Sequence, residues 1–230
     1  MTAPLAELAS LAALDAAESF DERAGIREYD GGLPRDEAEQ AARADVARVP
    51  LVAVAADKFA PGWRADRRDV PHAYAVLPLA WALAHVWPTD AHLVVYTATG
   101  AGQWQPRLCK DTVADYGEPV VCNVLLADVD NPKHAEWTPA TLAVAVEQHR
   151  TLPILQSAGW YVTAHGRRIV QPLAAPVPVP AVEGYLRRWL ADLEAAGLAV
   201  DRACLDWTRH FRLPHVTRDR VPYRSPVVEV

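Results

Sequence analysis

Cysteine is scarce: Cys109, Cys122 and Cys204 are the only three in 230 residues, and no Cys-x-x-Cys occurs. So few thiols, odd in number and far apart, exclude a disulfide framework and a zinc knuckle. No apolar run approaches the roughly 20 residues that a membrane-spanning helix needs. The first twenty residues carry Glu7 and Asp15 and no basic leader, so a secretory signal is not expected either. Positive charge is also short, with a formal net charge of −6, which argues against strong non-specific nucleic-acid affinity. Apolar residues are not short. At 51% of the chain they place it among globular proteins and exclude a disordered one. The expectation is one globular, cytoplasmic chain with no membrane partner.

The negative charge is local. Residues 1–50 hold eleven acids and five basic residues, so residues 51–230 balance at eighteen of each. The last thirty residues hold six arginines against four acids, leaving room for a basic surface near an acidic site. Leu5, Leu8, Leu11 and Leu14 make a narrow helical stripe. After the turn YDGGLP, a second helix is expected from Arg35 or Asp36 to about Arg48, completing an acidic helical region over residues 1–50. LVAVAA after Pro50 reads as a short buried strand, residues 60–72 as a loop, residues 74–86 as a buried helix and residues 93–97 as a strand. Gly100 and Gly102 lack the following Gly-Lys-Ser/Thr of a phosphate loop.

Residues 120–130, VVCNVLLADVD, are the most informative stretch. Their β-branched and aliphatic content reads as a buried strand closing on two aspartates one residue apart. Side chains alternate across a strand, so Asp128 and Asp130 leave the same face. Two neighbouring carboxylates repel and are costly to desolvate unless a cation sits between them. Such hard oxygen ligands suit Mg²⁺ or Mn²⁺. Substituting Asp128 or Asp130 by Ala is therefore expected to spare the fold. Thr138 and Pro139 then mark a helix N-cap and first turn. Residues 160–163 and 169–173 read as two strands joined through His165 and Gly166. AAPVPVP is expected as an extended connector, and Pro180 opens an amphipathic helix capped by Gly197. Residues 204–207 are the last strand candidate. Strands and helices alternate without repeats, so the class is α/β or α+β, with no linker that divides the chain.

In order, the chemically active residues are Asp128-Val-Asp130, Thr163-Ala-His165 and Asp206-Trp-Thr-Arg209-His-Phe-Arg212-Leu-Pro214. This series, in LLADVD, VTAHGRRIVQPL and CLDWTRHFRLP, resembles the archaeo-eukaryotic primase superfamily, in particular the primase-polymerases of plasmids, phages and related mobile elements. The resemblance covers residues 120–217; the first half of the chain carries no matching motif. It implies an RRM-like catalytic sheet with flanking helices, a smaller N-terminal α/β part, and an active site between them, in a single catalytic domain over 1–230. It further implies DNA-template-dependent nucleotidyl transfer from NTPs or dNTPs on single-stranded DNA, alongside a helicase or other replication partner. Two divalent ions about 4 Å apart commonly run that chemistry, and by resemblance Asp128, Asp130 and Asp206 hold them as Mg²⁺ or Mn²⁺, with no zinc. Thr163, His165, Arg167, Arg209 and Arg212 would bind nucleotide or brace the carboxylates. Arg167 and Arg168 leave opposite faces of a strand, so at most one points into the site. Asp201 competes with Asp206 as third ligand; Asp206 is preferred because it directly precedes the Arg-x-x-Arg-x-Pro run. Thr163 stands where serine is frequent in the family. Two other classes stay open on the residues alone: another Asp-x-Asp metal-dependent transferase or nuclease, and a non-catalytic nucleic-acid-binding module of a replication initiator.

Overall fold

The computed structural model describes residues 20–29, 31–46, 49–56, 74–114, 116 and 119–229. Leu5, Leu8, Leu11 and Leu14 and the loop at 60–72 lie outside these. Two helices, α1 (20–29) and α2 (Arg35–Val46), precede β1 (Leu51–Ala55), β2 (Tyr74–Pro78), α3 (Leu79–Ala84), β3 (His92–Val94), β4 (Tyr96–Thr97) and β5 (Trp104–Gln105). The second half runs β6 (Val121–Asp130), α4 (Pro139–Thr151), β7 (Gly159–Thr163), β8 (Gly166–Pro178), α5 (Val179–Ala195), β9 (Phe211–Arg212), β10 (His215–Arg218), β11 (Val221–Arg224) and β12 (Val228–Glu229).

The strands form two five-stranded antiparallel sheets and one hairpin. The first sheet has the order β5-β2-β1-β3-β9, the second β12-β7-β8-β6-β4, and β10-β11 stand as a pair. The fold is thus mixed α+β, antiparallel sheets with flanking helices. Val95 is where the chain leaves one sheet for the other: β3 pairs with β1, and β4, one residue later, pairs with β6. In the second sheet the succession β6-α4-β7-β8-α5 is completed by Val200, which bridges antiparallel to Val129. That βαββαβ order, with the first strand between the third and the last, is the arrangement of an RRM-like sheet.

Three stretches differ from the sequence reading. Residues 74–86 are not one helix. Tyr74–Pro78 is a strand because β1 takes it as an antiparallel partner from Leu51↔Pro78 to Val54↔Ala75, and only six residues after it are helical. AAPVPVP is not a free connector: its first five residues belong to β8, with Val177 opposite Cys122 and Pro178 opposite Val121, and its last two open α5. A register shift between Cys122 and Val124 absorbs four residues of β8, and β7 covers β8 only from Gly166 to Val170. The prolines therefore sit where no ladder N–H is required of them. Residues 204–207 are not a strand either, since Asp201 caps a 3₁₀ turn at Arg202–Leu205 by accepting from the Ala203 amide at 2.9 Å. Asp206, accepting from the Thr208 amide at 3.0 Å, starts another turn. Short polar side chains that bond the backbone two residues on compete with a strand ladder.

Helix α4 begins as the sequence indicates. The Thr138 hydroxyl accepts from the Thr141 amide at 3.2 Å, while the Thr141 hydroxyl accepts from the Thr138 amide at 2.9 Å, a reciprocal cap before Pro139. Helix α5 buries Val182, Leu186, Trp189, Leu190 and Leu193, and ends at Gly197, whose φ of +85° suits glycine. Among the described residues no helix is long and apolar enough to cross a membrane.

Candidate active site

The register of three strands decides which side chains meet. Asp128 of β6 lies opposite Arg168 of β8, and Arg168 lies opposite Tyr161 of β7, so these three form a row on one face. Asp130, Gly166 and Thr163 form the next row on that face. Val129, Arg167 and Val162 stand between them on the other face.

Asp128 is buried, and both its carboxylate oxygens are taken. Oδ1 accepts from Arg168 Nε at 2.5 Å and Oδ2 from Arg209 Nη2 at 3.1 Å. Arg209 also donates from Nη1 to Asp201 Oδ2 at 2.7 Å, so one guanidinium bridges two carboxylates. Arg168 lies over the rings of Tyr161 and Phe211 and also donates to the Arg212 carbonyl. Burial disfavours the Arg168 cation, but the facing Tyr161 and Asp128 outweigh it and hold the guanidinium firmly charged. Two guanidinium groups therefore do what a cation was expected to do for a buried carboxylate.

Asp201 reaches this cluster through the edge of β6. The Asp130 amide donates to the Ala199 carbonyl at 3.3 Å and the Asp201 amide to the Asp128 carbonyl at 2.9 Å, so residues 199–201 pair with the strand end. Oxygens of Asp128 and Asp201 and the Cys204 sulfur lie within 4.8 Å of one another. Partial burial pushes the Asp201 carboxyl up, but the Ala203 amide and Arg209 outweigh it and leave it below its usual value. Burial pushes the Cys204 thiol up to about 11, and its sulfur accepts from the Asp128 amide at 3.2 Å. Cys204 is thus a neutral thiol that packs the strand end, and the hard donors of the cluster are the two carboxylates.

Asp206, the third acid expected from the sequence, lies outside this cluster. Asp206 is exposed, its Oδ1 accepts from the Thr208 amide and hydroxyl, and it lines a surface cleft with Lys110, Glu183, Arg187 and Arg202. Asp130 lies at the tip of β6 with its side chain 42% exposed. His134 Nδ1 is 3.8 Å from Asp130 Oδ1, brought there by a turn in which Lys133 and His134 both adopt positive φ. The sites suggested by Thr163 and His165 lie beside it. His165 is exposed in the β7–β8 turn, and its carbonyl accepts from the Asn131 amide at 2.8 Å. The Trp137 indole donates to the Thr163 carbonyl at 2.8 Å and the Gly166 carbonyl at 3.2 Å, which pins that turn to the end of β6. Gly166 has no alternative there: a Cβ would stand 2.4 Å from the Val129 carbonyl oxygen.

Arg167 and Arg212 are placed elsewhere than the sequence reading put them. Arg167 is on the far face under α4, donating to the Ala145 carbonyl at 2.6 Å and to Gln148 Oε1 at 2.7 Å; Arg168 is the one that shares the face of Asp128. Arg212 makes a two-pronged pair with buried Asp90, at 2.6 and 3.2 Å, and its carbonyl accepts from the Tyr161 hydroxyl at 2.8 Å. It joins the two sheets rather than offering a free phosphate grip. Trp160 and Trp207 are core residues. Sequence reasoning missed Tyr161, Cys204, Asp90 and His134 as neighbours of the site, and no pattern in the sequence singles them out.

No family model matches the chain and no curated protein matches it. Two solved structures do. One is the AEP domain of the primase-polymerase of cyanophage S-2L, 16% identical over 77% of this chain and 80% of that one, with a TM-score of 0.38. The other is the polymerase domain of Mycobacterium tuberculosis ligase D in complex with DNA, 18% identical over 92% of this chain and 80% of that one, with a TM-score of 0.40. This chain is similar to both.

The carboxylates fit a hard divalent cation. Asp128 and Asp201 present oxygens close enough to share one ion, and Asp130 leaves the same face one row further on. For Asp128 and Asp201 to ligate together, Arg209 has to release its bridge between them.

Proposed function

We propose that this protein is a DNA-template-dependent nucleotidyltransferase, a primase-polymerase that makes or extends primers from NTPs or dNTPs. The observation that carries the reading is the meeting of Asp128 and Asp201 at the end of β6, with Asp130 on the same face and the His165 turn beside it. The order of the three motifs in the sequence supports it independently. Asp128, Asp130 and Asp201 would hold Mg²⁺ or Mn²⁺, which when bound activates the attacking 3′-hydroxyl and neutralises the triphosphate.

The chain's own groups divide the remaining work. Arg168 fixes the Asp128 carboxylate in place, and Arg209 neutralises the acidic cluster before substrate arrives. His165, exposed on a turn whose carbonyls are bonded by Trp137 and Asn131, would donate to a nucleotide phosphate, with Thr163 contributing its hydroxyl. The β10–β11 hairpin presents exposed Arg218 and Arg220 for a template backbone.

The test is incorporation of labelled nucleotide on single-stranded DNA with Mn²⁺ or Mg²⁺, with and without primer. Asp130→Asn is the control, since a half-exposed carboxylate can be neutralised without disturbing the core. Product from the wild type, reduced by about two orders of magnitude or more in the variant as for loss of a directly stabilising charge, supports the reading. Undiminished product in the variant contradicts it.

One observation favours a second reading. Both oxygens of Asp128 are already held by guanidinium groups, as in a purely structural ion cluster. A non-catalytic DNA-binding module would bind single-stranded DNA equally well in EDTA and give no product.

A further inference from the structure

Behind the strand end that carries Asp130 lies a cavity of about 340 Å³, between α4 and the segment 197–199 that follows α5. Its walls include Val129, Trp137, Thr141, Val144, Gln148 and Leu198, and Arg167 forms part of its floor. This is the face of the sheet opposite Asp128, and of its lining only Asp130, at the strand tip, is assigned above to the metal site.

Arg167 is 3% exposed, yet among the described residues it has no carboxylate partner. Its two bonds go to neutral acceptors, the Ala145 carbonyl and Gln148 Oε1, and its guanidinium lies 5.7 Å from the Trp160 ring. A buried cation without a counter-charge is costly. A guanidinium has five N–H donors, of which these bonds use two. Arg168, the adjacent residue, shows the contrast: its side chain is 13% exposed, and it has the Asp128 carboxylate. The rest of the cavity is mostly apolar. Trp137 is fixed by its indole bonds to Thr163 and Gly166, so its ring is a rigid wall. The volume lies at the lower end of the range for small-molecule sites, too small for a nucleic-acid strand.

We propose that this cavity binds a small organic anion, a carboxylate or phosphate on a flat apolar body, with its charge against Arg167. The ligand would pack on Trp137 and beside Asn131, the two residues that hold the His165 turn.

The proposal does not depend on nucleotidyl transfer and is tested in EDTA by titration calorimetry with adenosine monophosphate and with benzoate. Two variants accompany the wild type: Arg167→Gln, and Val144→Glu, which puts a carboxylate into the cavity from a position that is 58% exposed and so spares the fold. Binding of either probe, weakened at least about tenfold by Val144→Glu, supports the site. Adenosine monophosphate alone would assign a phosphate, and benzoate alone a carboxylate. If Arg167→Gln unfolds, as melting curves would show, Val144→Glu still decides. Absence of binding by both probes, or affinity unchanged in Val144→Glu, would overturn the proposal.

Discussion

Asp128 connects the chemistry of this molecule to its stability. Removing its carboxylate strands Arg168 in a buried setting and frees Arg209 from one of its two acids. Breaking a buried pair from one side typically costs about 3–5 kcal/mol. Asp128→Ala is therefore expected to lower the melting temperature markedly, and Asp128→Asn, which keeps an acceptor, to lower it less. An unchanged denaturant midpoint for Asp128→Ala would contradict the clamp. This reverses the expectation that relief of carboxylate repulsion leaves the fold untouched, because the repulsion is already cancelled by arginines that the Asp-x-Asp pattern does not reveal. Gly166→Ala forces the Val129 carbonyl to move, and a cost of about 1–3 kcal/mol follows from overpacking. Chemical denaturation measures it, and a loss below about 0.5 kcal/mol, the range of ordinary surface changes, would show that the close approach is dispensable. The aspartate pair and the histidine turn were legible because alternation along a strand fixes their face. That Asp201, and not Asp206, comes within 4.8 Å of Asp128 was not. It depends on residues 199–201 pairing with the edge of β6, a long-range contact with no local signature.

Elements with strong local punctuation were readable from the chain. Thr138-Pro139 specified the start of α4, Gly197 the end of α5, and the aliphatic run before Asp128 the strand β6. Thr138→Ala removes the reciprocal cap at an exposed position and is expected to cost about 1 kcal/mol. A melting temperature within experimental error of the wild type would contradict that role. Residues 74–78 were misread as helix because a short apolar run carries no period that separates buried strand from buried helix. Their strand character comes from β1, more than twenty residues earlier in the chain. AAPVPVP was misread because proline excludes a central ladder position but not a bulged strand with one open edge.

For the whole molecule, three histidines among the described residues contribute to the response to acid. Burial lowers His85 and His149, and burial together with Arg224 lowers His215. A group with a depressed folded value binds protons more readily when unfolded. Its contribution to stability is therefore present above the unfolded value near 6.5 and is lost as pH falls below it. Melting temperature is expected to decline from pH 7 to pH 5, with a smaller decline in a variant carrying His85→Gln and His149→Gln. An identical decline in that variant would contradict the assignment. The same scale carries the catalytic claim, since the site exists only where the tip of β6, the β7–β8 turn and residues 199–201 meet. The measurement that tests it most directly is templated nucleotide incorporation by Asp201→Asn and Asp206→Asn, assayed together against the wild type. Near-complete loss with Asp201→Asn and near-full product with Asp206→Asn is the expected result. Full activity in Asp201→Asn, or loss confined to Asp206→Asn, would contradict it.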